Sequence, residues 1–179
     1  MRTIKIKNNS KLRFWINDLP QVQFLPTQVR EHEINAGCII GPRRIACEIL
    51  IAAGPRNMYG LLGGEFKPKN IPRMDIFIGS SKNDGQPYTD SIASPTEVSL
   101  IGIPKEYVTG IVEGFEMARQ KLVDVGQGHF IVNHGVYGEI GSSIVLFKHL
   151  SCVLFRLLHS DTSAMSDGQI TALLPEQFS

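Results

Sequence analysis

The sequence predicts an α+β fold, a two-layer sandwich in which two helices pack on one face of a mainly antiparallel sheet. Short runs that alternate apolar and polar residues occur on both sides of the chain's midpoint, at the spacing of strands. Two stretches of the second half instead carry apolar residues at helical spacing. The chain has 179 residues, with 42% hydrophobic, 20% charged, 17 glycines and 10 prolines, which fits one turn-rich domain spanning residues 1–179.

Residues 1–40 are expected to form a hairpin and an irregular extension. Residues 3–7 and 12–16 alternate apolar and polar side chains on either side of the turn-rich Asn8-Asn9-Ser10, which is typical of a hairpin. The stretch that follows is rich in proline and glycine, and we place a short helix from Thr27 within it.

A core is expected over residues 41–158, followed by a tail over 159–179. Its first half should hold a strand over 45–53 ending at Gly54-Pro55, irregular residues 56–73, a strand over 74–78 and a polar loop over 79–96. Its second half should hold a strand over 98–103, a helix from Pro104, a break at 126–128, a strand over 129–136 and a second helix. The tail reads as a polar linker over 159–169 and a short element over 170–174.

The two predicted helices differ in how much of their surface is apolar. The first carries a single apolar stripe, so it should lie at the surface with one face buried. The second follows the possible caps Ser142 and Ser143, runs for about 16 residues and is apolar nearly all round. We therefore expect it to be buried against the sheet, and we expect Ile111, Phe115, Leu150 and Leu154 in the core.

Charge and cysteine content exclude several classes of protein. The formal net charge is only +1, although residues 1–90 hold 13 basic and eight acidic residues. This gives no global field for DNA binding. The three widely spaced cysteines favour neither a disulfide framework nor a zinc ribbon. With no signal peptide or membrane-spanning segment in the sequence, we expect a soluble cytoplasmic protein without a membrane partner.

The sequence nominates no catalytic residue, metal ligand or cofactor. No nucleophile elbow, zinc-protease motif or paired-carboxylate signature is present. The chain also lacks the GxxxxGK[ST] loop of a GTPase. We therefore expect a binding protein rather than an enzyme.

Two motifs resemble domain IV of translation elongation factor G. Gly102–Tyr107 contains the sequence Ile-Pro-Lys-Glu-Tyr ahead of an amphipathic helix, and Gly135–Ser143 leads from a strand to a Ser-Ser cap. Both are similar to that family's motifs, in order and at about the right separation. The resemblance covers roughly residues 97–158 and extends weakly to Arg43 and 48–55. It implies a left-handed βαβ crossover in place of the common right-handed one.

The resemblance also implies binding to RNA or to a ribosomal surface at the tip of the sandwich. The residues that it places there are Arg43, Arg44, Tyr137 and Gly138. It does not imply translocation, because no GTPase loop is present and glycines stand at the tip positions 138 and 141. Ribosome association without translocase activity is the function that the resemblance favours.

Two other functions stay open from the sequence. One is a protein-interaction module without RNA, with self-association into a homo-oligomer as one form of it. The other is a small enzyme or phosphate-ligand binder that uses the glycine-rich loop 135–143. Glycines before a capped helix can leave amides free to bind an anion, and the residues concerned are Gly138, Gly141, Ser142 and Ser143.

Overall fold

The computed structural model describes residues 1–53, 56–82, 85–94, 97–162 and 164–174, and within them the chain is α+β, as predicted. One mainly antiparallel sheet contains eight strands of the described residues, and two main helices accompany it. The strands are β1 (Arg2–Lys5), β2 (Lys11–Ile16), β3 (Gln28–Asn35), β4 (Arg43–Ala53), β5 (Arg56–Pro68), β6 (Arg73–Ser80), β7 (Ser99–Ile101) and β8 (Gly128–Gly138). The helices are α1 (Val108–Arg119), α2 (Ile144–Leu158) and the short α3 (Asp167–Thr171).

The strand order places the first and third strands at opposite edges of the sheet. The order is β1-β2-β4-β5-β8-β6-β3, and β7 pairs with the last residues of β8. β6 and β8 are parallel, and the chain passes from one to the other through β7 and α1. The structure therefore contains a crossover helix, and its left hand stays a prediction.

The helices and one face of the sheet enclose the main core. α1 packs against α2, and α2 packs on β4 and β5. The predicted core residues Ile111, Phe115, Leu150 and Leu154 are all fully buried, which confirms the helical faces derived from their spacing. Ser143 is the N-cap of α2, and its hydroxyl accepts a hydrogen bond from the Leu146 amide, as the helix signal predicted.

The opposite face of the sheet is covered by loops. Trp15, Tyr59 and Leu61 form part of a second, smaller core there. Val22 of the β2–β3 connection packs on it, and Ile92 of the β6–β7 connection lies against it. Long connections therefore take the place of a second helix layer on this side.

Two of the predicted irregular stretches are strands. Residues 28–35 form β3 where we predicted a helix from Thr27, because the segment pairs along its whole length with β6. Residues 56–68 form β5 where we predicted irregular chain. Gly60 fits the space below α2, since a Cβ atom there would lie 3.3 Å from Leu150 and 3.4 Å from Phe147. The predicted end of a strand at Gly54-Pro55 lies outside the described residues.

Helix starts differ from prediction by a few residues. Pro104 precedes a 3-10 turn over Lys105–Tyr107, and α1 begins only at Val108. In the tail, α3 begins at Asp167 inside the predicted linker, because Ser166 and Gln169 form a capping box. The opening hairpin is confirmed, and Asn8 and Asn9 in its turn adopt the left-handed conformation that asparagine tolerates.

Candidate functional site

The structure separates the residues of the predicted RNA-binding tip. Arg43 opens β4 and lies opposite Phe66 of β5, which lies opposite Phe130 of β8. Gly138 is eight residues beyond Phe130 in β8, which corresponds to about 26 Å along the strand at about 3.3 Å per residue. Arg43 and Arg44 therefore lie at one end of the sheet and Tyr137 and Gly138 at the other. The resemblance placed these four residues at one end, and the β4–β5–β8 register places the two pairs at opposite ends, while RNA binding by either pair stays a prediction.

Both arginines also have partners within the fold. The Arg43 guanidinium donates hydrogen bonds to the carbonyl oxygens of Leu158 and Ser160, at 2.7 and 2.8 Å. It thereby satisfies acceptors at the C-terminus of α2, where a cation is favoured. Arg44 Nε lies 3.1 Å from Glu65 Oε1 at the surface. The positive charge at this end of the sheet is thus partly neutralised.

The predicted anion-binding residues are brought together at the other end, in the turn between β8 and α2. The Gly138 amide donates to Ser142 Oγ at 2.8 Å, and Ser142 Oγ donates to the Tyr59 carbonyl at 2.6 Å. The Gly141 carbonyl accepts from the Tyr59 amide at 3.1 Å. These bonds fasten the turn to β5, so several of its polar groups already serve the fold.

A buried ion pair that the sequence analysis missed lies on the loop-covered face of the sheet. Arg13 of β2 and Glu48 of β4 are direct cross-strand neighbours. Arg13 Nε donates to Glu48 Oε2 at 2.6 Å, and the Tyr59 hydroxyl donates to Oε1 at 2.7 Å. Glu48 is completely buried, and its burial raises the pKa of the carboxyl, against the effect of these hydrogen bonds.

The ion pair fastens the β6–β7 connection over the sheet. The Ile92 amide donates to Glu48 Oε1 at 3.1 Å, and the Arg13 guanidinium donates to the Asp90 carbonyl. The guanidinium also lies 4.8 Å from the centroid of the Trp15 ring. Because the charged groups are bonded to one another and to the connection above them, we assign this cluster to stability. The sequence signal for this cluster was a single charged residue, Arg13 in β2 and Glu48 in β4, within each of two runs that alternate apolar and polar residues.

A groove of about 440 Å³ lies between β3 and the first turns of α1. Val29 and Arg30 line it from the strand, and Lys105, Val108 and Val112 line it from the helix side. Val108 and Val112 give the groove an apolar wall on its helix side. This site was missed because its strand was predicted as a helix.

The backbone of β3 has an open side next to this groove. The Ala36 amide donates to the Pro72 carbonyl at 3.3 Å, in register with the β3–β6 ladder. Because hydrogen-bonded pairs alternate along an antiparallel ladder, even-numbered residues of β3 bond to β6, and Val29, Glu31 and Glu33 turn their amides and carbonyls outward. Among the described residues, β6 is the strand that pairs with β3, and nothing pairs with its other side.

Charged side chains divide the groove into two ends. Even-numbered residues of β3 share the helix face with the buried Ile34, and odd-numbered ones share the opposite face. Arg30 and Lys105 lie at the end where α1 begins, and no described carboxylate lies within 4.0 Å of either; Glu113 also lines the groove, where Lys148 Nζ pairs with its Oε2 at 2.8 Å. Toward the other end, His32 Nε2 lies 2.8 Å from Glu116 Oε1 and joins the strand to the helix.

No family model matches the chain, and no curated protein is significantly similar to it. Within the described residues, no three histidine, cysteine or acidic side chains are placed to hold a metal ion. Nor does the described part of the chain contain a helix long and apolar enough to span a membrane.

Proposed function

We propose that this protein is a non-catalytic binding module, which takes an extended segment of another polypeptide as an added strand beside β3. The observation that carries the proposal is the open edge of β3 next to a groove with one apolar wall. Strand addition at such an edge gives affinity through main-chain hydrogen bonds, and adjacent pockets for side chains give specificity.

The two edge strands of the sheet differ in length. β1 has four residues and carries Lys5 on its exposed side, and a short strand with a lysine is a common guard against pairing. β3 has eight residues, and Val29 is 54% exposed. β3 also carries charged side chains at positions 30, 31 and 33, so it is its length, which offers more outward main-chain groups, that makes β3 the edge suited to a partner.

The charges on β3 argue against a second copy of the same strand as the partner. Outward-facing residues must pair with outward-facing residues, which limits the registers of a symmetric antiparallel pair. In the registers that centre on Arg30, Glu31, His32 or Glu33, two arginines or two glutamates face each other. Like charges directly opposite one another are destabilising, so the favoured partner is a different chain.

A proline at position 31 tests the proposal. Glu31→Pro removes an outward amide that strand addition needs, while an edge strand tolerates proline on its open side. Thr3→Pro is the matched control, since Ile6 bonds to Ser10 across the β1–β2 ladder and Thr3 therefore faces outward on the other edge. Peptides selected from a random phage-displayed library on the wild-type protein serve as ligands, and their affinities are measured by fluorescence anisotropy.

We expect Glu31→Pro to lower the affinity for the selected peptides at least tenfold, and Thr3→Pro to leave that affinity unchanged. Hydrogen exchange of the wild-type protein gives a second measurement that needs no variant. Peptide binding should slow exchange of the Val29, Glu31 and Glu33 amides. Selected peptides that bind equally to Glu31→Pro without protecting these amides would overturn the proposal, as would failure to select any peptide.

A further inference from the structure

The charges of β3 differ between its two faces, with a cation on the face toward the β3–α1 groove and two carboxylates on the face away from it. Arg30 and Lys105 form the positive end, next to the N-terminus of α1, where the helix dipole also favours an anion. Glu31 and Glu33 follow on the opposite face of the same strand. An extended ligand that fits this pattern carries a negative group at one end and positive side chains behind it.

We propose that the ligand of this groove is the C-terminal tail of a partner protein, bound antiparallel to β3 with its free carboxylate against Arg30 and Lys105. The inference rests on the proposed function, since it requires strand addition at β3. It adds the direction of the ligand, its terminal group and the charge of its side chains.

The direction follows from the position of the positive end. Lys105 and Arg30 lie near the start of β3, so an antiparallel ligand ends there and a parallel ligand begins there. An antiparallel tail brings a carboxylate to the two cations, whereas a parallel tail brings an ammonium group to them. Coulombic attraction therefore selects the antiparallel C-terminus.

The side chains of the ligand follow from the alternation of the strand. Residues directly opposite each other in a ladder have their side chains on the same face. The last residue, opposite Arg30, faces the valine wall of α1 and is best aliphatic. The residues one and three positions earlier lie opposite Glu31 and Glu33 and are best lysine or arginine. No described cation lies within 4.0 Å of Glu31, whereas Glu33 Oε2 lies 3.7 Å from Arg73 Nε, so Glu31 is the residue whose charge is more available to a basic side chain of the ligand.

The test uses three synthetic peptides that carry a fluorophore at the N-terminus. The first has the sequence Ala-Ser-Lys-Thr-Lys-Val with a free carboxylate, the second is its C-terminal amide, and the third replaces both lysines by glutamate. Affinities are measured by anisotropy on the full chain at low and physiological salt. We expect the amide to bind at least fivefold more weakly than the acid, and the glutamate peptide at least tenfold more weakly.

Variants of the protein locate the effect. Lys105→Gln should remove most of the difference between acid and amide, without weakening the amide. Lys121→Gln removes one positive charge just beyond the C-terminal end of α1, and it should change the affinity for neither peptide. Far-ultraviolet circular dichroism of each variant checks that it is folded.

The outcomes separate this inference from the proposed function. Equal binding of acid and amide, with loss of both on Glu31→Pro, would overturn the C-terminal inference and support strand addition. Tighter binding of the glutamate peptide would overturn the assigned side-chain charges. If no peptide of the three binds, the inference is overturned, and the library selection then decides the proposed function independently.

Discussion

Helix α1 packs closely on α2 at Gly114. Replacing a glycine inside a helix by alanine usually stabilises a protein, but we expect Gly114→Ala to destabilise this one. A Cβ atom on Gly114 would lie 2.0 Å from the Lys148 carbonyl oxygen and 2.0 Å from Ser151 Oγ. Side-chain carbons essentially never approach other atoms closer than 3.0 Å. One of the two neighbours is backbone of α2, so Gly114→Ala must push the helices apart.

The net change in the free energy of unfolding is the difference between a gain in helix propensity and a cost of overpacking. In the interior of a helix, alanine is favoured over glycine by about 1 kcal/mol. Overpacking of a well-packed site costs about 1–3 kcal/mol, and the upper end applies here because a backbone atom cannot change rotamer. We expect Gly114→Ala to lower the free energy of unfolding by about 2 kcal/mol, or about 4–8 °C in Tm for a chain of this size.

Urea unfolding measures this effect, followed by circular dichroism and by the fluorescence of the single tryptophan, Trp15, which is buried. Gly168→Ala in α3 is the matched control, since a Cβ atom there would meet nothing within 4 Å. That variant should gain up to about 1 kcal/mol. A Gly114→Ala protein as stable as the wild type, alongside the expected gain at 168, would refute the close approach of the two helices.

The helical half of the chain was predicted well because its signals are local. The apolar spacing in α1 and α2 and the cap at Ser143 are properties of neighbouring residues, so the sequence shows them directly. The start of α1 was placed too early because Pro104 fits either the first turn of a helix or the residue before one. The core residues Phe115 and Leu154 followed from the same periodicity.

The two strands that were missed owe their structure to neighbouring strands. β3 carries four consecutive charged or titratable residues over 30–33 and needs one buried side chain, Ile34, because it lies at an edge. β5 contains three glycines, which a strand interior normally disfavours. Two of them are required by the neighbouring strands, since a Cβ atom on Gly63 would lie 2.6 Å from Ala46 Cβ and one on Gly64 would lie 2.1 Å from the Ile131 carbonyl oxygen. Neither reason can be read from a local window of sequence.

The functional site was harder to predict than the fold because it depends on register between distant strands. Arg43 and Gly138 were grouped on a resemblance, and the β4–β5–β8 register places them far apart. Arg30 and Lys105, in contrast, are 75 positions apart in the sequence and line one groove. RNA or ribosome binding stays a prediction of the resemblance, and no contact between the four residues named for it supports a shared site.

Two further predictions concern buried charge. Arg13→Met leaves the Glu48 carboxylate buried without its counter-charge and should cost about 3–5 kcal/mol in urea unfolding at pH 7.5. Adding Glu48→Gln should recover part of that loss, since it removes the unpaired charge and keeps an oxygen that accepts from the Tyr59 hydroxyl and the Ile92 amide; a double variant no more stable than the single one would contradict this. The last prediction is the pH dependence at His159, which is held neutral: its Nδ1 donates to the Phe155 carbonyl at 2.8 Å and its Nε2 accepts from the Gly126 amide at 3.1 Å. Burial lowers the pKa of His159 below its ordinary value of 6.5, so the unfolded chain takes up the proton first as the pH falls. Wild-type stability relative to His159→Gln should therefore be constant above pH 7.5 and fall below pH 6.5, by at most about 1.4 kcal/mol per pH unit until the folded state is also protonated. Unfolding curves of both proteins from pH 8 to pH 5 measure the difference, and a gap that widens in favour of the wild type on acidification would show that the folded protein holds His159 in its charged form.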